Sequence, residues 1–236
     1  MNTYVAIDLE TTGINPKNDR IIEIGAVKVD DGEISDSFTT FINPQMSIPP
    51  RIQELTGITM KMVQMAPTIE GVLPDLLAFC EEYPLLGHNI IFDFSFVKHK
   101  AVNQGLTFER TGIDTLAIAR QTLKQLESKR LGALCEHYQI ETKRSHRATD
   151  DALAAHLLYQ QLRHDFAIKR PELFVDKALI HKVKKQGGIT TRQKDYLNDL
   201  LKYHKIEIDV QIDSLTKNEA SRLIDKTIFE NGRIKR

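Results

Sequence analysis

The 236 residues are 41% hydrophobic and 27% charged, the balance of a globular chain with room for one substantial α/β domain and a smaller addition. No run approaches the eighteen or so apolar residues a membrane span needs, and no cleavable leader is expected before the first strand. No membrane partner is therefore expected, and Cys80 and Cys135, too few for a disulfide framework, lead to the expectation of a reducing cytoplasm. The net charge of zero conceals an acidic stretch 1–162, with 15 Lys and Arg against 21 Asp and Glu, and a basic stretch 163–236, with 17 against 11. An acidic metal site and a tail facing a polyanion would produce that asymmetry, and so would a solvated surface of mixed charge.

The first forty residues read as three antiparallel strands. "TYVAID" is followed by a polar turn, "RIIEIGAVKVD", an Asp31-Gly32 turn and "EISDSFTTFI", the last two runs forming a hairpin signature. Short helical pieces are expected around Gln53–Gly57 and Thr59–Gln64, then a longer helix from about Ile69 to Glu82. "YPLLGHN" predicts a short buried strand, "FDFSFVKHKAVNQG" a helix stopped by Gly105, and "TGIDT" a further strand end. Helices follow near Leu116–Leu123 and Leu131–His137. The clearest helix is "HRATDDALAAHLLYQQLRHD", with Ala148, Ala152, Ala155, Tyr159 and Leu162 along one face. Strands first, then strand and helix alternating, predict a mixed sheet covered by helices.

Beyond about Asp165 the texture changes, giving a domain 1–165, a basic linker 166–188 ending in Gly187-Gly188, and a module 189–236. Thr190 with Gln193 and Thr216 with Glu219 are two capping boxes, which predict helices at about 191–204 and 217–229. Residues 177–205 hold eight Lys and Arg against two acids, suited either to gripping a nucleic-acid backbone or to docking a protein.

Asp8 and Glu10 end an otherwise apolar strand, and residues two apart point to one side of it. Two such anions repel unless a cation lies between them. Asp93 falls near the start of a helix, where a carboxylate is also favoured by the helix dipole, and His88 and Asn89 close the strand before it. His146 precedes Asp151 by five residues, with Asp150 beside the latter. Hard divalent ions take oxygen ligands, and two of them about 3.5 to 4 Å apart can stabilise both the attacking and the leaving oxygen of a phosphodiester. Asp8, Glu10, Asp93 and Asp151 supply four carboxylates for Mg²⁺ or Mn²⁺, and His146 supplies a base for water.

With those residues in order, "DLETTG", "HNIIFD" and "HRATDD" resemble the three motifs of the DnaQ-like, DEDDh superfamily of 3′→5′ exonucleases, which includes the proofreading epsilon subunit of bacterial replicative polymerase. "RIIEIGAVKV" and "LTGIT" extend the likeness over about Thr3 to Leu162. The resemblance implies a ribonuclease H-like fold and ligation of two divalent cations by Asp8, Glu10, Asp93 and Asp151, with His146 as general base. It also implies substrate contacts at Thr11, Thr12, His88 and Asn89. The family spacing from histidine to acid selects Asp151 over Asp150. The implied reaction releases nucleoside 5′-monophosphates from the 3′ end, with DNA favoured and RNA the alternative. The implied role is proofreading or repair, and a polymerase or another DNA-processing protein is the implied partner. No polymerase motif follows Leu162, so a free-standing or accessory exonuclease is expected. A reading of another class, a binding module that keeps the fold without the chemistry, has against it that all five active-site positions are filled.

Overall fold

The computed structural model describes residues 2–141, 146–208 and 210–234. Strand β1 (Tyr4–Thr11) pairs antiparallel with β2 (Ile21–Asp30), which pairs antiparallel with β3 (Glu33–Phe41). Asp31 and Gly32 between β2 and β3 both have positive φ, 48° and 90°, the tight hairpin turn that an Asp-Gly pair favours. Helix α1 (Pro50–Thr56) begins three residues before the predicted Gln53, because Pro50 at the first helical position fixes φ for the turn. After α2 (Met60–Val63), helix α3 (Ile69–Cys80) stops short of the predicted Glu82, since Glu81 turns to φ 44°.

Strand β4 (Leu85–Gly87) runs parallel to β1, and helix α4 (Ile91–Gln104) ends at Gly105 in the left-handed conformation the sequence requires there. Strand β5 (Thr111–Asp114) is parallel to β4 and leads directly into α5 (Thr115–Thr122). Asp114 caps α5, accepting the N–H groups of Leu116 and Ala117. Helices α6 (Leu131–His137) and α7 (Ala148–Phe166) follow. A last strand, β6 (Lys177–Ala178), pairs antiparallel with β5 and completes a six-stranded mixed sheet of order β3-β2-β1-β4-β5-β6.

Side chains of β1 divide between the two faces of that sheet. Val5, Ile7 and Leu9 join the core made with Leu73 and Leu76 of α3 and Phe94 and Val97 of α4. Tyr4 and Ala6 join the opposite core, with Leu158, Tyr159 and Leu162 of α7. By strand alternation Asp8 and Glu10 continue that second face, beyond the point where apolar packing stops.

Contacts divide the chain into two compact units: Met1–Pro44 with Ile48–Val183, and Gln45–Ser47 with Lys184–Arg236. The first unit therefore runs past the predicted boundary at 165. Leu173 and Phe174 are buried in its core and β6 lies in its sheet, within the stretch read as linker. A two-residue polar edge strand carries no hydrophobic signal, which is why composition alone does not reveal it. In the second unit α8 (Thr191–His204) and α9 (Lys217–Asn231) each start from a complete capping box. They bury Leu197, Leu200, Leu201 and Ile224 together. Among the described residues no helix is long and apolar enough to cross a membrane.

Candidate active site

Three elements of the first unit bring the predicted acids together. Strand β1 carries half-buried Asp8 and Glu10, paired in register with Gly25 and Glu23 of β2. Asp93, in the first turn of α4, is only 3% exposed, and its Oδ1 accepts the Leu9 N–H at 3.0 Å, which ties that helix to the end of β1. Asp151, in the first turns of α7, accepts the N–H of His146 at 3.0 Å, across the five-residue spacing seen in the sequence.

Carboxylate oxygens of Glu10 and Asp151 and a ring nitrogen of solvent-exposed His146 all lie within 4.8 Å of one another. This trio is tighter than the four-acid set drawn from the sequence. Asp8 feels the charges of Glu10 and Asp151, and Asp93 that of Glu10. Two oxygen donors and an imidazole converging at that distance suit a hard divalent ion or an acid–base trio.

Electrostatics points the same way. Burial raises the carboxyl of Asp8 well above its ordinary value, and the charges of Asp93, Glu10 and Asp151 raise it further. Burial also raises Asp93 well above its ordinary value, although the backbone N–H groups of Asp93 itself and of Leu9 partly oppose this. Glu10 is pushed up to about 8, first by burial and then by Asp151 and Glu23, with Arg147 pulling it down. Burial raises Asp151, while its bond from the His146 backbone and the nearby imidazole lower it. Carboxylates crowded in this way are poorly tolerated as free anions and accept a cation or a proton readily.

The four remaining predicted residues are held by the protein itself. Thr11 donates its hydroxyl to the Gly13 carbonyl at 2.6 Å, and the Thr12 hydroxyl accepts the Arg20 N–H at 2.9 Å. Both threonines are buried. His88 Nε2 donates to the Lys129 carbonyl at 2.8 Å and Nδ1 pairs with the Thr115 hydroxyl at 2.9 Å, so both ring nitrogens are engaged. Asn89 is exposed with φ 77°, and its N–H donates to Asp114 at 2.9 Å. These bonds shape the loops at the carboxyl ends of parallel strands β1, β4 and β5, where open α/β sheets commonly place a ligand.

Gly25 and Glu23, which lie outside the three motifs, bring β2 against the start of α7. Gly25 lies against the start of α7, where an added Cβ would stand 2.1 Å from the Thr149 nitrogen and 2.2 Å from the Ala148 carbonyl carbon. Only a residue without a side chain lets that helix end approach β2 at the level of Asp8. Glu23, beside it, is 1% exposed and bound to Arg147. Its signal in the sequence is a lone acid inside the apolar run "RIIEIGAVKV", as Asp8 is a lone acid at the end of its own apolar run.

Comparison with known proteins bears on the family and the fold. A family model described as RNase_T, exonuclease, matches residues 5–159. The PolC-type DNA polymerase III of Clostridium perfringens is 46% identical over 151 residues, covering 64% of this chain but 10% of that one. This chain thus spans about a tenth of the length of that relative. The DNA polymerase III epsilon subunit of Aquifex aeolicus is 38% identical over 151 residues, covering 64% of this chain and 75% of that one. Among solved structures, exonuclease X in complex with 5′-overhanging duplex DNA superposes with a TM-score of 0.56 at 26% identity, covering 70% of this chain and 93% of that one.

Proposed function

This chain belongs to the RNase_T exonuclease family, of DnaQ-like 3′→5′ exonucleases with a ribonuclease H-like fold, and on that footing we propose that it removes nucleotides from the 3′ end of DNA. The observation that carries the proposal is the convergence of Glu10, Asp151 and His146, with the carboxyls of Glu10, Asp151, half-buried Asp8 and buried Asp93 all raised, first by burial and then by their neighbours' charge. Two divalent cations, Mg²⁺ or Mn²⁺, held by Asp8, Glu10, Asp93 and Asp151, would offset that crowding and stabilise charge on the phosphodiester.

His146 takes a proton from the attacking water, as an exposed imidazole next to two carboxylates is suited to do. The water oxygen bonds to phosphorus while the bond from phosphorus to the neighbouring 3′ oxygen breaks. That oxygen gains a proton from solvent, and a nucleoside 5′-monophosphate departs. Thr11, Thr12, His88 and Asn89 shape the loops that receive the terminal nucleotide. The polar tips of Thr11, Thr12 and His88 are bound internally, which leaves their backbone groups and faces for that contact, whereas Asn89 is tied through its backbone N–H.

DNA is favoured as substrate by the DNA in the exonuclease X complex and by the DNA polymerase relatives. A polymerase or another DNA-processing protein is the corresponding partner, and proofreading or repair the corresponding role. The basic run 177–205 supports contact of the second unit with a phosphate backbone or a protein. The cytoplasm suits two buried free thiols.

The test uses single-stranded DNA, duplex DNA and RNA, each labelled at the 5′ end, with Mg²⁺, with Mn²⁺ and with chelator. A ladder that shortens from the 3′ end of DNA only when a divalent cation is present is the expected result. Asp8→Ala should lower that rate by at least about 10³-fold while circular dichroism stays that of the parent. Full activity in that variant, or shortening of RNA alone, would sink the proposal.

A further inference from the structure

Glu23 sits among the acids of the site, opposite Glu10 in the strand register, yet its carboxylate is already committed. Its side chain is 2% exposed. Arg147 Nε donates to Oε1 at 3.0 Å and to Oε2 at 3.1 Å, and Arg147 Nη2 donates to Oε1 at 2.7 Å. Oε2 also accepts the Ala148 N–H at 3.1 Å. Ala148 is the first residue of α7, and the cap residue before it, Arg147, makes no side-chain capping bond of its own. A carboxylate from a neighbouring strand therefore caps this helix, where its charge also complements the helix dipole. With its lone pairs taken by a guanidinium fork and a helix N–H, Glu23 has little left to offer a cation.

The same clamp sits next to the reactive groups. Arg147 follows His146 directly and precedes Asp151 by four residues. Its guanidinium is also held over the Phe41 ring, 5.2 Å from the centroid. His146 adopts φ 64°, a left-handed conformation that a non-glycine residue keeps only where its surroundings enforce it. One restraint is the bond from its N–H to Asp151, and the other is the fixed position of the next residue.

We propose that Glu23 and Arg147 form a positioning pair that ties β2 to the start of α7 and so sets the imidazole of His146 and the carboxylate of Asp151 against Glu10. This rests on that cluster being the hydrolytic site. Neither partner touches the reacting atoms; both act through the backbone that carries His146 and Asp151.

The experiment compares the full chain with Glu23→Gln, Arg147→Lys and the double variant, reading kcat and KM on 5′-labelled DNA and amide exchange along the chain. Lysine keeps the charge of Arg147 but not its fork. The expected result is a fall in kcat of about 10- to 100-fold in Glu23→Gln, a smaller fall in Arg147→Lys, and KM within about twofold. The double variant should be no worse than the poorer single one, because both substitutions break one device. Amides of 146–151 should exchange faster in every variant while those of β1 and α4 keep their protection. Losses that add in the double variant would mean Glu23 acts on its own, as a cation ligand would, and would overturn the proposal. So would a parental kcat in Glu23→Gln, or unchanged exchange at 146–151. If Glu23→Gln unfolds, Arg147→Lys carries the same readouts. Exchange needs no activity, so a parent chain that cleaves nothing counts against the hydrolytic reading alone.

Discussion

Glu10 shows how far the fold moves the chemistry of a single residue. At the end of a strand in solvent its carboxyl would titrate near its ordinary 4.5, whereas burial, Asp151 and Glu23 push it up to about 8. The folded chain thus binds this proton more tightly than the unfolded chain. The resulting stabilisation is complete below about 4.5 and is lost as pH rises through about 8. Asp8, Asp93 and Asp151 are shifted in the same direction and add to the loss. His88, His156 and His181, whose imidazoles burial lowers from 6.5, act oppositely, but only below that pH. Between about pH 6.5 and pH 8 the acids should dominate, so in chelator the thermal midpoint should fall across this window. Mn²⁺, which binds the deprotonated acids, should remove the fall. A midpoint that stays level in chelator would show that the acids are not crowded as described.

At the scale of elements, the site depends on how closely the start of α7 meets β2. Gly25 permits that approach, and a methyl group there would overlap the backbone of residues 148 and 149. Gly25→Ala should therefore destabilise the chain by about 1–3 kcal/mol or more and move Asp151 and His146 away from Glu10. Denaturant unfolding would show the first effect. The second would appear as a loss of kcat larger than the stability change explains. A parental midpoint together with parental kcat would mean that α7 yields without consequence. The elements themselves were largely legible beforehand. The Asp31-Gly32 hairpin, the stop at Gly105 and both capping boxes lie where their local chemistry requires, because each is decided within about four residues of chain. Less legible were the start of α1 at Pro50 and strand β6. A strand defined only by the neighbour it pairs with leaves no periodic trace of its own.

The whole molecule places all the predicted acids and His146 in the unit that ends at Val183. A chain cut after Val183 should fold and keep its kcat, and any contribution of the second unit to nucleic-acid grip would appear as a higher KM that depends less on salt. A chain cut after Asp165 loses Leu173 and Phe174 from the core and β6 from the sheet edge. It should melt several degrees lower or fail to fold, consistent with about 2–5 kcal/mol for each large core side chain removed. Equal midpoints for the two fragments would place the boundary at 165 after all.

The sequence by itself determined the order of elements, the mixed sheet, the helical second module and the five residues whose types and spacing fit metal-assisted phosphodiester chemistry. Those follow from local rules, namely the period of apolar residues, turn and cap chemistry, and the meaning of an acid at the end of a buried strand. Only the tertiary structure decided that Glu10, His146 and Asp151 form the tight trio, with Asp8 within reach of the charges of Glu10 and Asp151. It alone put Glu23 in the grip of Arg147, and it alone showed His88 with both ring nitrogens engaged. Distance between residues more than a hundred positions apart is set by packing across the sheet, and no pattern along the chain encodes it.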